Sequence, residues 1–182
     1  LIEHFIQDAK IVIFASRNAY RFYAKRYKSK KNILVLEVAP IYYPDSPSGI
    51  DFAKVKDLSI NKSDILKINT MALHKAQEFI GKPDLVISDY EAISASYAYA
   101  QNAPLITIDQ QSKYLYGEFP KKIQGFTYLG EDMRLRMFFP KAETRIACSF
   151  FRVRVRKDPS RKVKIYPPVL RESIVRLRRK PE

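Results

Sequence analysis

Short apolar runs alternate with amphipathic stretches along the first 150 residues of the chain. The runs "KIVIFAS" (10–16), "NILVLEVAP" (32–40) and "PLITID" (104–109) are rich in β-branched residues, which is typical of strands that are buried on both faces. "PDLVISD" (83–89) and "TRIACSFF" (144–151) have the same character. The pattern predicts a strand at each of these positions.

The stretches between these runs have the apolar spacing of helices. They are "RNAYRFYAKRY" (17–27), "SDILKINTMALHKAQEFIGK" (63–82), "AISASYAYAQN" (92–102) and "QGFTYLGEDMRLRMFF" (124–139). Ser16 or Asn18 is predicted to cap the first helix, and Ser63-Asp64 to cap the second, which ends at Gly81. Because strands and helices alternate without an Asn-Gly or Asp-Gly hairpin signal, the predicted fold class is α/β, with a parallel sheet flanked by helices.

The composition changes after Phe151. Arginines alternate with valines from residue 152, "KVKIY" follows at 162–166, and Pro167-Pro168 interrupts the chain. The change predicts a domain of residues 1–151, followed by a basic linker or tail over 152–182. An edge strand and a short basic helix are the elements expected in that tail.

The positive charge is concentrated in the same part of the chain. The formal net charge is +14, and residues 141–182 contain 14 basic and 4 acidic residues, a net +10, which leaves +4 for residues 1–140. Such a segment attracts phosphates, on nucleic acid, on a sugar nucleotide or on an anionic membrane surface. The single Cys148 offers neither a disulfide nor a metal cluster, which favours a reducing cytoplasm.

Two polar turns follow neighbouring apolar strands. Ser88, Asp89, Tyr90 and Glu91 come after the first strand, and Asp109, Gln110, Gln111 and Ser112 come after the second. Ligands of parallel α/β sheets bind beyond the carboxyl ends of the strands, so these residues are candidates for substrate binding. Ordinary helix capping explains each turn about as well.

The segment from Pro83 to Gln111 resembles a known family. Its order is proline and aspartate, an apolar strand, Ser-Asp-Tyr-Glu, a helix of small residues, then Pro-Leu-Ile-Thr-Ile-Asp-Gln-Gln. It is similar to the N-terminal half of GT-B glycosyltransferases that are relatives of the enzyme that adds N-acetylglucosamine to lipid-linked peptidoglycan precursor. Some of these relatives act in teichoic-acid biosynthesis. The weaker resemblance extends from about Lys10 to Arg171.

The resemblance implies a Rossmann-like parallel sheet with helices on both faces and a role on the acceptor side of sugar transfer. The family's glycine-rich loop does not occur in the chain, which has 5 glycines, and Ser112 stands where a histidine often occurs. The loop is therefore expected upstream of Leu1. The donor-binding C-terminal domain is expected beyond the chain, which would be inactive alone.

The chemistry of glycosyl transfer assigns expected roles to these residues. Asp89 or Glu91 would act as the general base on an acceptor hydroxyl, and closure of the two domains would bring the donor over Asp89, Glu91 and Asp109. Tyr42, in a proline-rich loop, would stack on a sugar ring, although packing over the sheet edge is the alternative. The donor would be a nucleotide sugar, and no metal is expected, because such enzymes hold the diphosphate with backbone amides.

The partners implied are a sugar acceptor, possibly lipid-linked, and the inner face of the plasma membrane, which the basic tail would contact from the cytoplasm. A different class of function is a non-enzymatic domain that binds nucleic acid through the basic tail and its aromatic residues. Burial of Phe150, Phe151 and Tyr166 in strands would argue against that alternative. A regulatory or scaffolding α/β domain also fits the sequence.

Overall fold

Parallel strand pairs and intervening helices make up the part of the chain that the structure describes. The computed structural model describes residues 8–40, 45–46, 49–50, 62–119, 129–142, 144–155 and 163–168. The helices are α1 (Arg17–Arg26), α2 (Lys62–Ile80), α3 (Ala92–Ala100), α4 (Lys113–Tyr116) and α5 (Leu129–Phe138). The strands are β1 (Ile11–Ala15), β2 (Ile33–Glu37), β3 (Asp45–Ser46), β4 (Gly49–Ile50), β5 (Val86–Ser88), β6 (Leu105–Asp109), β7 (Thr144–Cys148) and β8 (Val163–Tyr166).

The chain divides into two compact units. The first unit comprises residues 1–86 and 91–103, and the second comprises residues 87–90 and 104–182. The chain passes between the units at Val86–Ile87, at Tyr90–Glu91 and again at Ala103–Pro104. Both strand-end turns singled out in the sequence therefore contribute residues to the second unit, whereas Glu91 belongs to the first.

The first unit contains a parallel pair of strands with helices on both faces. β1 and β2 pair in register from Ile11 opposite Ile33 to Ala15 opposite Glu37. Alternate residues of β1 point to opposite faces of the sheet, and they enter two separate apolar clusters. One cluster contains tyrosines of α1, and the other contains Ala72 and Ala76 of α2 together with Tyr97 of α3.

Tyr97 joins three parts of the first unit. Its ring makes an edge contact with Phe14 at a centroid distance of 5.9 Å. Its hydroxyl donates a hydrogen bond of 2.5 Å to the carbonyl of Gly81, the residue that follows α2. The small residues around Tyr97 in α3 include Ala95 and Ala98, which are fully buried. The small side chains of α3 therefore allow this helix to pack closely within the first unit.

The second unit is built on a four-stranded sheet with the order β5-β6-β7-β8. β6 pairs with β7, and β7 with β8, both in parallel. Their carboxyl ends therefore lie at one edge, where β6 ends at Asp109, β7 at Cys148 and β8 at Tyr166. The predicted α/β class with parallel strands is confirmed. α5 provides Leu135, and Phe139 follows it; both side chains are completely buried.

Several local expectations differ from the structure. α2 begins at Lys62, so Ser63 and Asp64 lie in its first turn and do not cap it. Ser16 occupies the N-cap position of α1, but its side chain makes no capping hydrogen bond. The strand predicted over residues 144–151 ends at Cys148, because Ser149 hydrogen-bonds through its hydroxyl to the carbonyl of Phe151 and turns the chain.

The C-terminal segment is also arranged differently from the expectation. Phe150 and Phe151 follow the end of β7 and are 70% and 56% exposed, so burial in a strand does not occur there. Arg152 and Arg154 lie outside any strand, and Val155 forms an isolated antiparallel bridge with Gly117. The edge strand expected in the tail does occur, because β8 pairs with β7 at the edge of the sheet, and the boundary at 151 stays a prediction. Tyr42 and Arg156 lie outside the described residues.

Candidate functional site

Asp109 closes the turn at the end of β6. Its carboxylate is 3% exposed and accepts hydrogen bonds from the Ser112 backbone N–H at 2.5 Å and the Ser112 hydroxyl at 2.8 Å. Ser112 is completely buried. The side chain of an aspartate that binds the backbone a few residues later fixes the path of a turn. Asp109 and Ser112 therefore hold the edge rigidly, while Gln110 between them is exposed and Gln111 partly buried.

Lys113, directly after this turn, is a buried cation. Its side chain is 5% exposed, and its ammonium nitrogen lies 5.3 Å from the ring centre of Tyr114 and 5.0 Å from that of Phe151. Desolvation lowers the pKa of Lys113. Aromatic faces attract cations and compensate part of the cost of this burial. Lys113 follows the polar turn directly in the chain, and sequence reasoning did not identify it.

The turn after β5 presents Asp89 to solvent. Ser88 is buried, whereas Asp89 is exposed. Tyr90 has a φ of 53°, a left-handed conformation that is rare for a bulky side chain and is held only when the surrounding structure enforces it. Its ring packs 6.1 Å from that of Phe139. Packing of Tyr90 therefore fixes the sharp bend that directs Asp89 outwards.

Glu91 is the N-cap of α3. Its carboxylate oxygens accept hydrogen bonds from the backbone N–H groups of Ile93 at 2.8 Å and Ser94 at 2.6 Å. These bonds satisfy two of the donors that the first turn of a helix leaves without a partner inside the helix. Burial raises the pKa of Glu91, and these hydrogen bonds partly offset that rise by lowering the pKa. The capping alternative thus accounts for the position of Glu91.

Asp89 and Asp109 influence each other electrostatically. Desolvation raises the pKa of Asp89, and the negative charge of Asp109 raises it further. Desolvation also raises the pKa of Asp109, against the opposing effects of its hydrogen bonds to Ser112 and the positive charge of Arg145. The two carboxylates of the second unit lie at the ends of β5 and β6, which are neighbouring strands of the sheet.

The two carboxylates differ in what their oxygens can do. Asp109 is buried and already accepts two hydrogen bonds. Within the described part of the chain, no hydrogen bond to the carboxylate of Asp89 is found, and the side chain is exposed. A general base needs an accessible oxygen and a pKa raised towards the working pH. Asp89 meets both requirements, and Asp109 acts on it as a neighbouring charge.

Arg145 is the second residue of this site that sequence reasoning missed. It lies on β7 and is 7% exposed, and its guanidinium donates a hydrogen bond to the carbonyl of Phe139. A signal was available, because an arginine at the second position of the strand "TRIAC" must either point to solvent or be buried for a reason.

Neither a metal-ligand cluster nor a membrane-spanning helix occurs among the described residues. No group of three or more histidine, cysteine, aspartate or glutamate side chains is placed to hold a metal ion. No helix among them combines the length and apolar character needed to cross a membrane.

The comparison with known families covers the whole chain. The sequence profile of glycosyl transferase family 1 matches residues 1–182. The chain belongs to glycosyl transferase family 1. It is a GT-B glycosyltransferase domain, which agrees with the parallel α/β architecture observed in both units. A search of curated proteins found no match.

The carboxyl ends of β5 and β6 are where the sequence predicted substrate binding. Both predicted turns lie there, with Ser88, Asp89 and Tyr90 at the end of β5 and residues 109–112 at the end of β6. The contributions of Ser88, Tyr90, Gln110, Gln111 and Ser112 to substrate binding remain predictions, as does that of Tyr42, and a catalytic role of Glu91 also remains a prediction.

Proposed function

We propose that this glycosyltransferase domain binds the sugar acceptor and that Asp89 is the general base for the acceptor hydroxyl. The observation that carries the proposal is the state of Asp89 at the edge of the sheet. It is exposed and accepts no hydrogen bond within the described residues, and both desolvation and the charge of Asp109 raise its pKa. Family membership supports sugar transfer as the reaction.

The chemistry assigned to Asp89 is a single proton transfer. As the acceptor oxygen forms its bond to the anomeric carbon of the donor sugar, the hydroxyl proton passes to the Asp89 carboxylate. The bond between that carbon and the nucleoside diphosphate breaks, and the diphosphate leaves with the electron pair. A raised pKa makes Asp89 a stronger base for this step than an ordinary aspartate.

The acceptor that we propose is a lipid-linked sugar of cell-envelope polysaccharide synthesis, such as teichoic-acid synthesis. The resemblance of the Pro83–Gln111 segment to relatives of the peptidoglycan N-acetylglucosaminyltransferase supports this class.

The test is a comparison of two ligands by ¹⁵N NMR. A short-chain lipid diphosphate that carries one N-acetylhexosamine is expected to shift the amide signals of residues 88–90 and 109–113. A nucleotide sugar alone is expected to leave these signals unchanged, because the edge is assigned to the acceptor. Shifts caused only by the nucleotide sugar would reassign the edge to the donor. If neither ligand shifts these signals, the proposed acceptor is contradicted.

A membrane surface is the second proposed partner. Phe150 is 70% exposed and is followed by exposed Phe151, Arg152 and Arg154, and residues 141–182 have a net charge of +10. Exposed aromatic groups among basic residues favour the interface of an anionic bilayer. The same arrangement would suit stacking on nucleic acid, which is the alternative outcome of the test.

The test of this surface uses Phe150→Ser. The variant is expected to sediment less with phosphatidylglycerol vesicles than the unmodified protein, and added salt should weaken the binding of both. Leu66→Ser, which removes an apolar side chain that is 69% exposed in the first unit, is the matched control and should bind normally. Equal loss in both variants would contradict the assignment, and tighter binding to single-stranded oligonucleotides than to vesicles would favour the alternative.

A further inference from the structure

The helix α1 and the loop that follows it carry a second concentration of positive charge. The stretch "RNAYRFYAKRYKSKK" (17–31) contains seven basic residues and no acidic residue, whereas the rest of residues 1–140 has a net charge of −3. Four of the basic side chains lie in α1 and three in the loop, and all seven are exposed. Such a cluster attracts a partner of negative charge.

The inward side of α1 is occupied within the first unit. Tyr20, Tyr23 and Tyr27 pack against the apolar cluster of β1 and β2, and their spacing of three and four residues places them on one side of a helix. Arg21 and Lys25, four residues apart, lie on the outward side and are exposed. The outward side of α1 therefore has no role in the packing against β1 and β2.

Phe22 lies among these basic residues on the outward side. Its side chain is 57% exposed, and the guanidinium carbon of Arg26 lies over its ring at 5.9 Å from the ring centre. The ring of Tyr23 makes an edge contact with it at a centroid distance of 5.3 Å. Stacking on a nucleic-acid base needs an open ring face, and Arg26 already covers one of the two. Insertion of the exposed part of the ring among lipid head groups needs no open face, so the arrangement favours a membrane.

We infer that the outward side of α1, defined by Arg21, Phe22 and Lys25 and continued by the basic loop 28–31, is a docking surface for an anionic lipid bilayer. Two observations carry the inference: the seven exposed basic side chains in a stretch without acidic residues, and the exposed phenyl ring among them. The choice of a bilayer rests on the proposed function, because a lipid-linked acceptor lies in a membrane. The surface itself is independent of Phe150, which belongs to the second unit.

The two kinds of side chain contribute to binding in different ways. Clusters of roughly four to eight Lys and Arg residues bind anionic lipids electrostatically, with about a fivefold gain in affinity for each basic residue near the surface. Salt screens this contribution. Transfer of the Phe22 ring into the interface is hydrophobic, so part of the affinity should persist at high salt.

The first experiment uses tryptophan fluorescence. The chain contains no tryptophan, so Phe22→Trp places a single indole on this surface. With phosphatidylglycerol vesicles its emission is expected to shift to shorter wavelength and to be quenched by brominated lipid. Leu66→Trp is the matched control, because Leu66 is also exposed but lies on α2, which packs on the other face of the β1–β2 pair. Its emission should not change. No shift for Phe22→Trp, or an equal shift for both variants, would overturn the inference.

The second experiment removes charge and leaves the ring in place. Arg21→Gln combined with Lys25→Gln is expected to lower the partition constant for phosphatidylglycerol vesicles about 25-fold in a sedimentation assay, because each charge contributes about fivefold. Lys67→Gln combined with Lys75→Gln removes two charges from exposed positions of α2 and should weaken binding much less. Equal losses in the two double variants would show that only the net charge matters and would overturn the inference.

Further outcomes separate this surface from the proposed function. Loss of vesicle binding in Phe150→Ser, with normal binding in the Arg21 and Lys25 double variant, would overturn the inference and leave the Phe150 surface in place. The opposite result would support the inference and contradict the Phe150 surface. Tighter binding to single-stranded oligonucleotides than to vesicles, lost in the Arg21 and Lys25 double variant, would also overturn it. Undiminished sugar transfer by Asp89→Asn would refute the proposed base but would not alter the vesicle measurements.

Discussion

Asp89→Asn is expected to lower kcat for sugar transfer by about 10²–10⁴-fold in the intact enzyme, which is the usual contribution of a positioned general base. The amide keeps the size of the carboxylate but cannot accept the proton of the acceptor hydroxyl. KM should change little, because the variant removes an interaction that matters mainly in the transition state. Release of the nucleoside diphosphate with time measures the rate.

The pH dependence provides a second signature of Asp89. A general base must be ionised, so the rate should fall as the pH falls through its pKa, which desolvation and Asp109 raise above the ordinary aspartate value. The acidic limb of the profile should therefore lie at higher pH than an unperturbed aspartate would give, and it should disappear from the residual activity of Asp89→Asn.

Two variants act as controls for this prediction. Asp84→Asn changes an exposed aspartate that lies before β5 and outside both turns, and it should retain full activity. Glu91→Gln retains an oxygen that can accept one of the two capping hydrogen bonds, so it should lower the stability of the first unit more than the rate of transfer. A large loss of rate in Glu91→Gln with normal stability would instead assign the base to Glu91.

Gly117→Ala is expected to destabilise the protein by about 1–3 kcal/mol, the usual cost of overpacking. A β-carbon at this position would collide with the ring of Phe119 and lie 2.5 Å from a methyl carbon of Val153 and 2.8 Å from the carbonyl oxygen of Lys113. The last contact involves the backbone, so rotation of a side chain cannot relieve it. Part of the crowding comes from the segment 153–155, which crosses close to residue 117.

Gly81→Ala is the matched comparison, because the substitution is the same and the physical cause of its effect is different. Gly81 has a φ of 64°, and nothing lies within 4 Å of the added carbon. Only the left-handed backbone opposes alanine there, at a cost of about 1 kcal/mol. Thermal unfolding measures both variants, and a loss at Gly117 no larger than the loss at Gly81 would contradict the packing argument.

The strand-end turns show how far local sequence information extends. Two apolar strands, one followed by Ser-Asp-Tyr-Glu and the next by Asp-Gln-Gln-Ser, predicted that Asp89 and Asp109 lie at the ends of neighbouring strands. The order of neighbours along the chain decides this, because a parallel α/β sheet places consecutive carboxyl ends on one side. The division of roles between the three acidic residues was not predictable, because it depends on which oxygens are already bonded.

The exposure of Phe150 and Phe151, the two aromatic residues after β7, could not be predicted from the local sequence. "TRIACSFF" is apolar throughout, and its pattern alone extends the strand to Phe151. The hydroxyl of Ser149 bonds to the backbone of Phe151 instead, and both phenylalanines become exposed. Hydrogen bonds from a serine side chain to nearby backbone compete with strand formation, and no periodicity reveals such a competition.

Amino-acid sequence alone determined the alternation of strands and helices, the parallel α/β class and the two polar turns, because these depend on contacts between residues close along the chain. The tertiary structure decided that Asp89 is the accessible carboxylate, that Glu91 caps a helix, and that Arg145 and Lys113 are buried. The physical reason is that burial and electrostatic coupling join residues from different strands. Arg145 and Asp109 are 36 positions apart in the sequence yet lie on neighbouring strands.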